Sequence, residues 1–141
     1  MIRSPELPDY LPARMLNEFV YCPRLAYLMW TQGEWVETGD TAEGKRVHGR
    51  VDRPSRPLPA PDALAVYAEA ADDKIVSRSL TLSSQTLGVI AKLDVAEAEE
   101  ALISPIDYKR RRRPHVAQCA YEPERIQVCL QALLLEEHGY R

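Results

Sequence analysis

A proline-rich stretch divides this chain and limits its fold more than any other feature. Four of the nine residues from 53 to 61 are proline, which lacks the backbone N–H that helices and interior strands require. We therefore predict an exposed loop over 53–61. The pattern is helical before this loop and β-rich after it, and neither side alone has enough residues for a robust core. The 141 residues are thus predicted to form one α+β domain.

The N-terminal part, about residues 12–51, has the spacing of helices. An apolar stripe ends at Cys22-Pro23, where the proline breaks or restarts the helix. Pro12 suits a first helical position, and a second apolar segment runs up to Gly33. Farther on, an acidic residue at position 40 and Glu43 have the spacing of a capping box. They predict a helix over about 41–51 that carries His48.

The middle of the chain changes to a period of two. Apolar residues alternate with Ser and Thr over 75–82, and a second such run covers 87–95, so both are predicted strands. The acidic residues 97–100 are expected to turn the chain. A third strand is predicted over 101–107, with a bulge or kink at Pro105.

A closing helix is predicted from Pro123 to just before Gly139, so that the β-rich core and this helix together span about 64–139. Its buried stripe is expected to comprise Ile126, Leu130, Leu133 and Leu134. Gln127 and Gln131 stand one turn apart, on a face away from much of that stripe. They could contact a nucleotide or orient a metal ligand, or they could simply keep the helix soluble.

An acid and a lysine, Asp107 and Lys109, close the third strand. Alternate residues of a strand share a face, so both side chains are expected to project together. A carboxylate can hold a divalent metal, and an ammonium can offset negative charge on a phosphate. If the hairpin turns near Glu100, Asp94 lies opposite or diagonal to Asp107, within reach of a shared metal, whereas a slip of one residue separates them. The alternative is that both aspartates merely end strands at a solvated edge.

A run of arginines follows Lys109 directly. The net charge of the chain is −3, so a nucleic-acid surface would be local rather than general. The residues expected to contact a DNA backbone are Arg110, Arg111, Arg112 and Arg113.

Cysteine content and hydropathy suggest a reducing, cytoplasmic location. Cys22, Cys119 and Cys129 are odd in number and widely spaced, which favours reduced thiols or one metal ligand over a disulfide framework. Cys129 is expected to be a small core residue, and Cys22 a buried thiol. No apolar run reaches the roughly 18–20 residues of a membrane-spanning helix, and the N-terminus has no signal-peptide core.

Five motifs, in this order, resemble the RecB-like nucleases of the PD-(D/E)xK superfamily, and most closely the CRISPR-associated Cas-four family. They are LNEFVYCPRLAY at 16–27, GKRVH at 44–48, LGVIAKLD at 87–94, PIDYKR at 105–110 and QVCLQ at 127–131. The resemblance implies a restriction-endonuclease-type core, with a small central mixed sheet flanked by helices.

The resemblance also implies roles for the residues of the nuclease site. His48, Asp94 and Asp107 would bind Mg²⁺ or Mn²⁺, and Lys109 would stabilise the transition state or help to activate water. Gln127 would match the glutamine of the family's helix motif. Gln131 departs from the family, because many relatives carry tyrosine at this position.

A second cofactor, a [4Fe–4S] cluster, is implied by the same resemblance. Cys22 would be the first of its four cysteine ligands. The other three would lie beyond residue 141, so this chain is expected to be the N-terminal portion of the domain, in some members fused to Cas-one.

The implied activity is that of a metal-dependent DNA nuclease in CRISPR spacer acquisition. It would trim single-stranded overhangs of spacer precursors and help to select those with a protospacer-adjacent motif, working with the Cas-one and Cas-two integrase. Two alternatives remain open at this point. One is a non-catalytic DNA-binding subunit, and the other is a RecB-type repair exonuclease.

Overall fold

The fold is described from a computed structural model. The described residues are 10–33, 57–70, 74–99, 101–108 and 112–141. The predicted helix over 41–51, with His48, lies outside these ranges, and so do Lys109, Arg110 and Arg111.

Four helices and a small mixed sheet make up the described part of the chain, which confirms the predicted combination of α and β structure. The elements, in chain order, are β1 (Leu11–Pro12), α1 (Ala13–Tyr21), α2 (Pro23–Thr31), α3 (Pro61–Ala70), β2 (Ile75–Ser84), β3 (Val89–Glu99), β4 (Leu102–Ile106) and α4 (Glu122–Glu137). In these ranges no helix is both long and apolar enough to cross a membrane.

The two N-terminal helices break where the sequence predicts. Cys22 has an extended backbone and serves as the N-cap of α2, with Pro23 at the start of that helix. The prediction that Pro12 begins a helix is wrong, because Pro12 lies in β1 and pairs with Ile90 of β3. Its φ of −60° and ψ of 133° are those of an extended residue that caps α1.

Helix α3 was not predicted from the sequence. Residues 57–60 are neither helix nor strand, as expected for the proline-rich loop, but Pro61 starts a helix rather than ending the loop. Proline suits the first helical position, since the N–H that it lacks has no partner there. Leu64 of α3 is buried against Ile75 and Ala98 of the sheet.

Strand β3 is the centre of the sheet. One edge pairs with β2 in antiparallel register, from Ile75 opposite Ala98 to Ser84 opposite Val89. Its other edge is shared, because β1 pairs with the start of β3 in parallel and β4 pairs with its end in antiparallel register. The three long strands agree with the sequence pattern, although their ends are shifted by a few residues.

The predicted turn over 97–100 is wrong, because β3 continues to Glu99. The strand tolerates Glu97 and Glu99 because both side chains reach solvent, and the carboxylate of Glu97 pairs with Lys74 at 2.5 Å. The expected bulge at Pro105 is also absent, since Pro105 sits opposite Ala96 in an unbroken ladder. Among the described residues, no strand pairs with the outer side of β4. The N–H that Pro105 lacks is therefore not needed for a hydrogen bond to a neighbouring strand.

Helix α4 covers the sheet and packs against α1. It ends as predicted, because Gly139 adopts a φ of +91°. There the N–H of Gly139 bonds to the carbonyl of Glu136 and that of Tyr140 to the carbonyl of Leu135, which is a Schellman motif.

The buried face of α4 differs from the predicted stripe. Leu130 and Leu134 are buried as expected, but Leu133 is 46% exposed and Leu135 is buried instead. The buried face is therefore turned toward positions 131 and 135. The largest core cluster joins this helix face to the sheet and α1, and contains Ala13, Leu82, Val89, Ala91, Leu93, Ala96, Leu130, Leu134 and Leu135.

Candidate functional site

The hairpin of β3 and β4 brings the two predicted aspartates together. Val95 pairs with Ile106, so one further step in the same register places Asp94 opposite Asp107. The backbone N–H of Tyr108 also donates to Oδ2 of Asp94 at 3.1 Å, which ties the residues after β4 to β3. The register expected from the sequence is confirmed.

Asp94 lies at the protein interior, with only 6% of its surface exposed, whereas Asp107 is half-buried. A buried carboxylate requires hydrogen bonds or nearby positive charge to offset its lost hydration. The Tyr108 N–H supplies one such bond. Two carboxylates at the edge of a cavity provide hard oxygen ligands, which are the type that Mg²⁺ and Mn²⁺ prefer.

Both aspartates line a cavity of about 620 Å³ between the sheet, α1 and α4. The polar and charged residues that share its wall are Arg14, Asn17, Glu18, Thr81, Lys92, Gln127 and Gln131. Arg14 and Lys92 thus place positive charge in the same cavity as the acids Glu18, Asp94 and Asp107, and cations of this kind can interact with an anionic phosphate.

The two glutamines of α4 both line this cavity, in different ways. Gln127 accepts a 2.9 Å hydrogen bond from Nδ2 of Asn17, which joins α4 to α1. Gln131 is 1% exposed, and its Oε1 has no hydrogen-bond partner in the described structure. The expectation that the glutamines lie on a face away from much of the buried stripe is therefore wrong for Gln131. Its position leaves an acceptor in the cavity wall.

Sequence reasoning missed several residues of the cavity wall. Lys92 is two residues from Asp94 on β3, so the period of two places both on one face. Arg14, Asn17 and Glu18 have the spacing of one face of α1. That spacing was visible in the sequence, but nothing in it showed that this face meets α4.

The part of the basic run that the structure describes lies beside a second cavity. Arg112 and Arg113 line a space of about 630 Å³ that also reaches Asp107. Arg113 donates a hydrogen bond to Sγ of Cys119, and this bond raises the pKa of Arg113 above its ordinary value. The basic run therefore adjoins the carboxylate site through a shared residue.

The other residues predicted for the site lie mostly outside the part of the chain that the structure describes. His48 and Lys109, with Arg110 and Arg111, lie outside the described ranges. Cys22 is half-buried at the junction of α1 and α2, and not buried as expected. No cluster of three or more His, Cys, Asp or Glu side chains in the described ranges is arranged to hold a metal ion, so the divalent metal and the iron–sulfur cluster stay predictions.

The expectation that Cys129 is a core residue is wrong, because the structure places it at the surface. The buried face of α4 runs through Leu130, Leu134 and Leu135, and Cys129 falls outside it.

Comparison with known proteins gives clear relatives, although no family model matches the sequence. A "CRISPR-associated exonuclease Cas4/endonuclease Cas1 fusion" from Geobacter sulfurreducens is 53% identical over 130 residues. A "CRISPR-associated exonuclease Cas4" and a second Cas4/Cas1 fusion, both from Rhodospirillum rubrum, are each 44% identical over 131 residues.

Each alignment covers 92% of this chain, but the chain spans only 22% of either fusion and 38% of the separate Cas4 protein. At 44–53% identity over nearly all of its length, the chain is homologous to part of these Cas4 proteins, which confirms its resemblance to the Cas-four family.

Proposed function

We propose that this chain forms the nuclease site of a metal-dependent, CRISPR-associated DNA nuclease that removes single-stranded overhangs from spacer precursors. The observation that carries the proposal is the pair of carboxylates, Asp94 and Asp107, which face each other across a hairpin at the wall of one cavity. The relatives named exonuclease Cas4 support hydrolysis of nucleic acid over a purely binding role.

The residues present fit a hard divalent cation. Asp94 and Asp107 supply carboxylate oxygens, and the buried Oε1 of Gln131 has no partner in the described structure. His48 would complete the set of protein ligands. Mg²⁺ or Mn²⁺ at this position would polarise a phosphoryl oxygen and assist the ionisation of water.

The residues of the chain would position the substrate and balance its charge. The hydrogen bond from Tyr108 fixes Asp94 relative to the segment that carries Asp107, so the two carboxylates keep one geometry. Arg14 and Lys92 lie on the cavity wall, where their positive charge favours a phosphate. Lys109 would offset the charge that develops on the phosphate oxygens in the transition state.

The architecture and the relatives together support the finer parts of the proposal. A hairpin that carries the acids, followed by a helix with Gln127, agrees with a RecB-like core. Relatives from two organisms are named as fusions with endonuclease Cas1. We therefore propose that the chain acts beside Cas1 and, as the resemblance implies, Cas2, and that it helps to select precursors with a protospacer-adjacent motif.

Substitution of the carboxylates tests the proposal. In the full chain, Asp94→Asn and Asp107→Asn should each reduce Mn²⁺-dependent cleavage of an overhang about 100-fold or more, since either change removes charge from the metal site. Cleavage is measured with an end-labelled duplex that carries a single-stranded tail. Asp62→Asn, at the exposed start of α3, is the matched control and should cut like the unchanged protein.

DNA binding measured without divalent metal distinguishes a variant that no longer cleaves from one that no longer binds DNA. Both aspartate variants should retain their affinity for the tailed duplex. Undiminished cutting by either variant would contradict the proposal. Salt-sensitive binding by the unchanged protein with no Mn²⁺-dependent product would instead favour the non-catalytic alternative.

A further inference from the structure

The second cavity, of about 630 Å³, opens next to the carboxylate pair and shares Asp107 with it. Its apolar lining comes from Pro114, Ala120 and Val128, while guanidinium groups and an aromatic ring complete the wall. The carboxylate cavity also has apolar and cationic lining residues, but no aromatic side chain of the described residues lines it. The two spaces are therefore adjacent, and the second one differs by its aromatic ring.

Positive charge is concentrated at the second cavity, although the chain as a whole carries a net charge of −3. Arg112, Arg113 and Arg125 line it, against the acids Asp107 and Glu124. Oε2 of Glu124 accepts a 3.1 Å hydrogen bond from the backbone N–H of Tyr121, so this carboxylate is held at the start of α4. The arrangement suits a ligand that carries phosphate.

An aromatic ring is available for stacking at the same place. Tyr121 lines the cavity and is 53% exposed, and it lies directly before α4. Arg113 is held in place by its bond to Cys119. An aromatic face beside guanidinium groups is a usual means by which proteins bind unpaired nucleotides.

We infer that the second cavity is a nucleobase subsite for the unpaired nucleotide next to the scissile phosphate. The base stacks on Tyr121 over the apolar lining, and the phosphates of the strand contact Arg112, Arg113 and Arg125. This inference rests on the proposed nuclease function and adds a reason for its substrate class. A base can enter the cavity only when it is unstacked and unpaired, so the subsite selects single-stranded ends over continuous duplex.

The test measures binding of a duplex with a four-nucleotide tail, by fluorescence anisotropy in EDTA, with the full chain. Tyr121→Ala should weaken binding about 10-fold, which is within the range for loss of one stacked base, whereas Tyr121→Phe should bind like the unchanged protein. The matched control is Tyr27→Ala on α2, because Tyr27 is 57% exposed and lines neither cavity. It should have no effect.

Removal of single bases from the tail gives a second test, and its first measurement needs only the unchanged protein. One abasic position should weaken binding by the unchanged protein about 10-fold and have no further effect on Tyr121→Ala, because the same contact is already lost. Equal affinity of Tyr121→Ala and the unchanged protein would overturn the inference. So would a loss that is the same for blunt and tailed duplexes.

Failure of the subsite and failure of the proposed function give different results. If Asp94→Asn abolishes cutting while Tyr121→Ala binds normally, only the subsite is overturned. If the unchanged protein does not cut with Mn²⁺ but its binding still depends on Tyr121 and on one base, the subsite stands and the nuclease proposal fails.

Discussion

At the scale of single residues, Gln131 shows how a polar side chain can be retained in a core. It is almost fully buried on α4, and its Oε1 lacks a hydrogen-bond partner in the described structure. An unpaired buried acceptor costs free energy. Its position in the wall of the carboxylate cavity gives a functional reason to keep it.

We expect Gln131→Leu to raise the free energy of unfolding by about 1–2 kcal/mol, since it removes an unpaired polar group at similar volume. Gln127→Leu is the matched change one turn away, and it should lower stability by about 1 kcal/mol because it breaks the bond with Asn17. Urea denaturation without metal or DNA measures both. A clear loss of stability in Gln131→Leu would contradict this prediction, because it would show that the amide of Gln131 has hydrogen-bond partners.

At the scale of elements, the β3–β4 hairpin decides whether the two aspartates meet. Only residues 100 and 101 connect Glu99 to its partner Leu102, and Ala101 adopts a φ of +68°. This left-handed conformation is strained for any residue with a Cβ atom. The tight turn fixes the register that places Asp94 opposite Asp107.

Ala101→Gly should therefore raise the free energy of unfolding by about 0.5–1 kcal/mol, because glycine adopts this φ without strain. Ala98→Gly, a change of the same chemistry at a buried position of β3, should lower stability by about 1 kcal/mol. Chemical denaturation distinguishes the two. A loss of stability in both variants would contradict the role given to the turn.

At the scale of the whole molecule, Tyr140 connects parts of the chain that are distant in sequence. Its ring packs against both hydrophobic clusters, and its hydroxyl donates to the carbonyl of Pro59 at 2.9 Å. Burial raises the pKa of Tyr140 above its ordinary value. The protonated Tyr140 side chain thus contributes its full stabilisation to the fold below the ordinary tyrosine pKa of about 10. This contribution is lost as pH rises through the raised pKa.

Tyr140→Phe should lower the free energy of unfolding by about 1 kcal/mol near neutral pH, where the hydroxyl is protonated and bonded. The difference from the unchanged protein should shrink above about pH 10, because ionisation of the unfolded tyrosine then destabilises only the protein that carries it. Urea titrations at the two pH values measure this. A difference that does not change with pH would contradict the assignment.

The sequence by itself determined the strands, most of the helices and the pairing of Asp94 with Asp107. These features depend on local periodicity and on the position of one short turn, so residues close in sequence specify them. The five motifs indicated a resemblance to the Cas-four family, and the relatives confirm that resemblance. Helix α3, in contrast, was not predicted, because its first residue, Pro61, belongs to the proline-rich stretch. Proline is common both in loops and at the first position of a helix.

Only the tertiary structure decided which faces close the site. The contact of Asn17 with Gln127 joins residues 110 positions apart. The packing of α4 against α1 and the sheet buries Gln131 and leaves Leu133 exposed. The sharing of Asp107 between two cavities has the same origin. Such contacts depend on how helices pack over a sheet, and no spacing within a single segment specifies that packing.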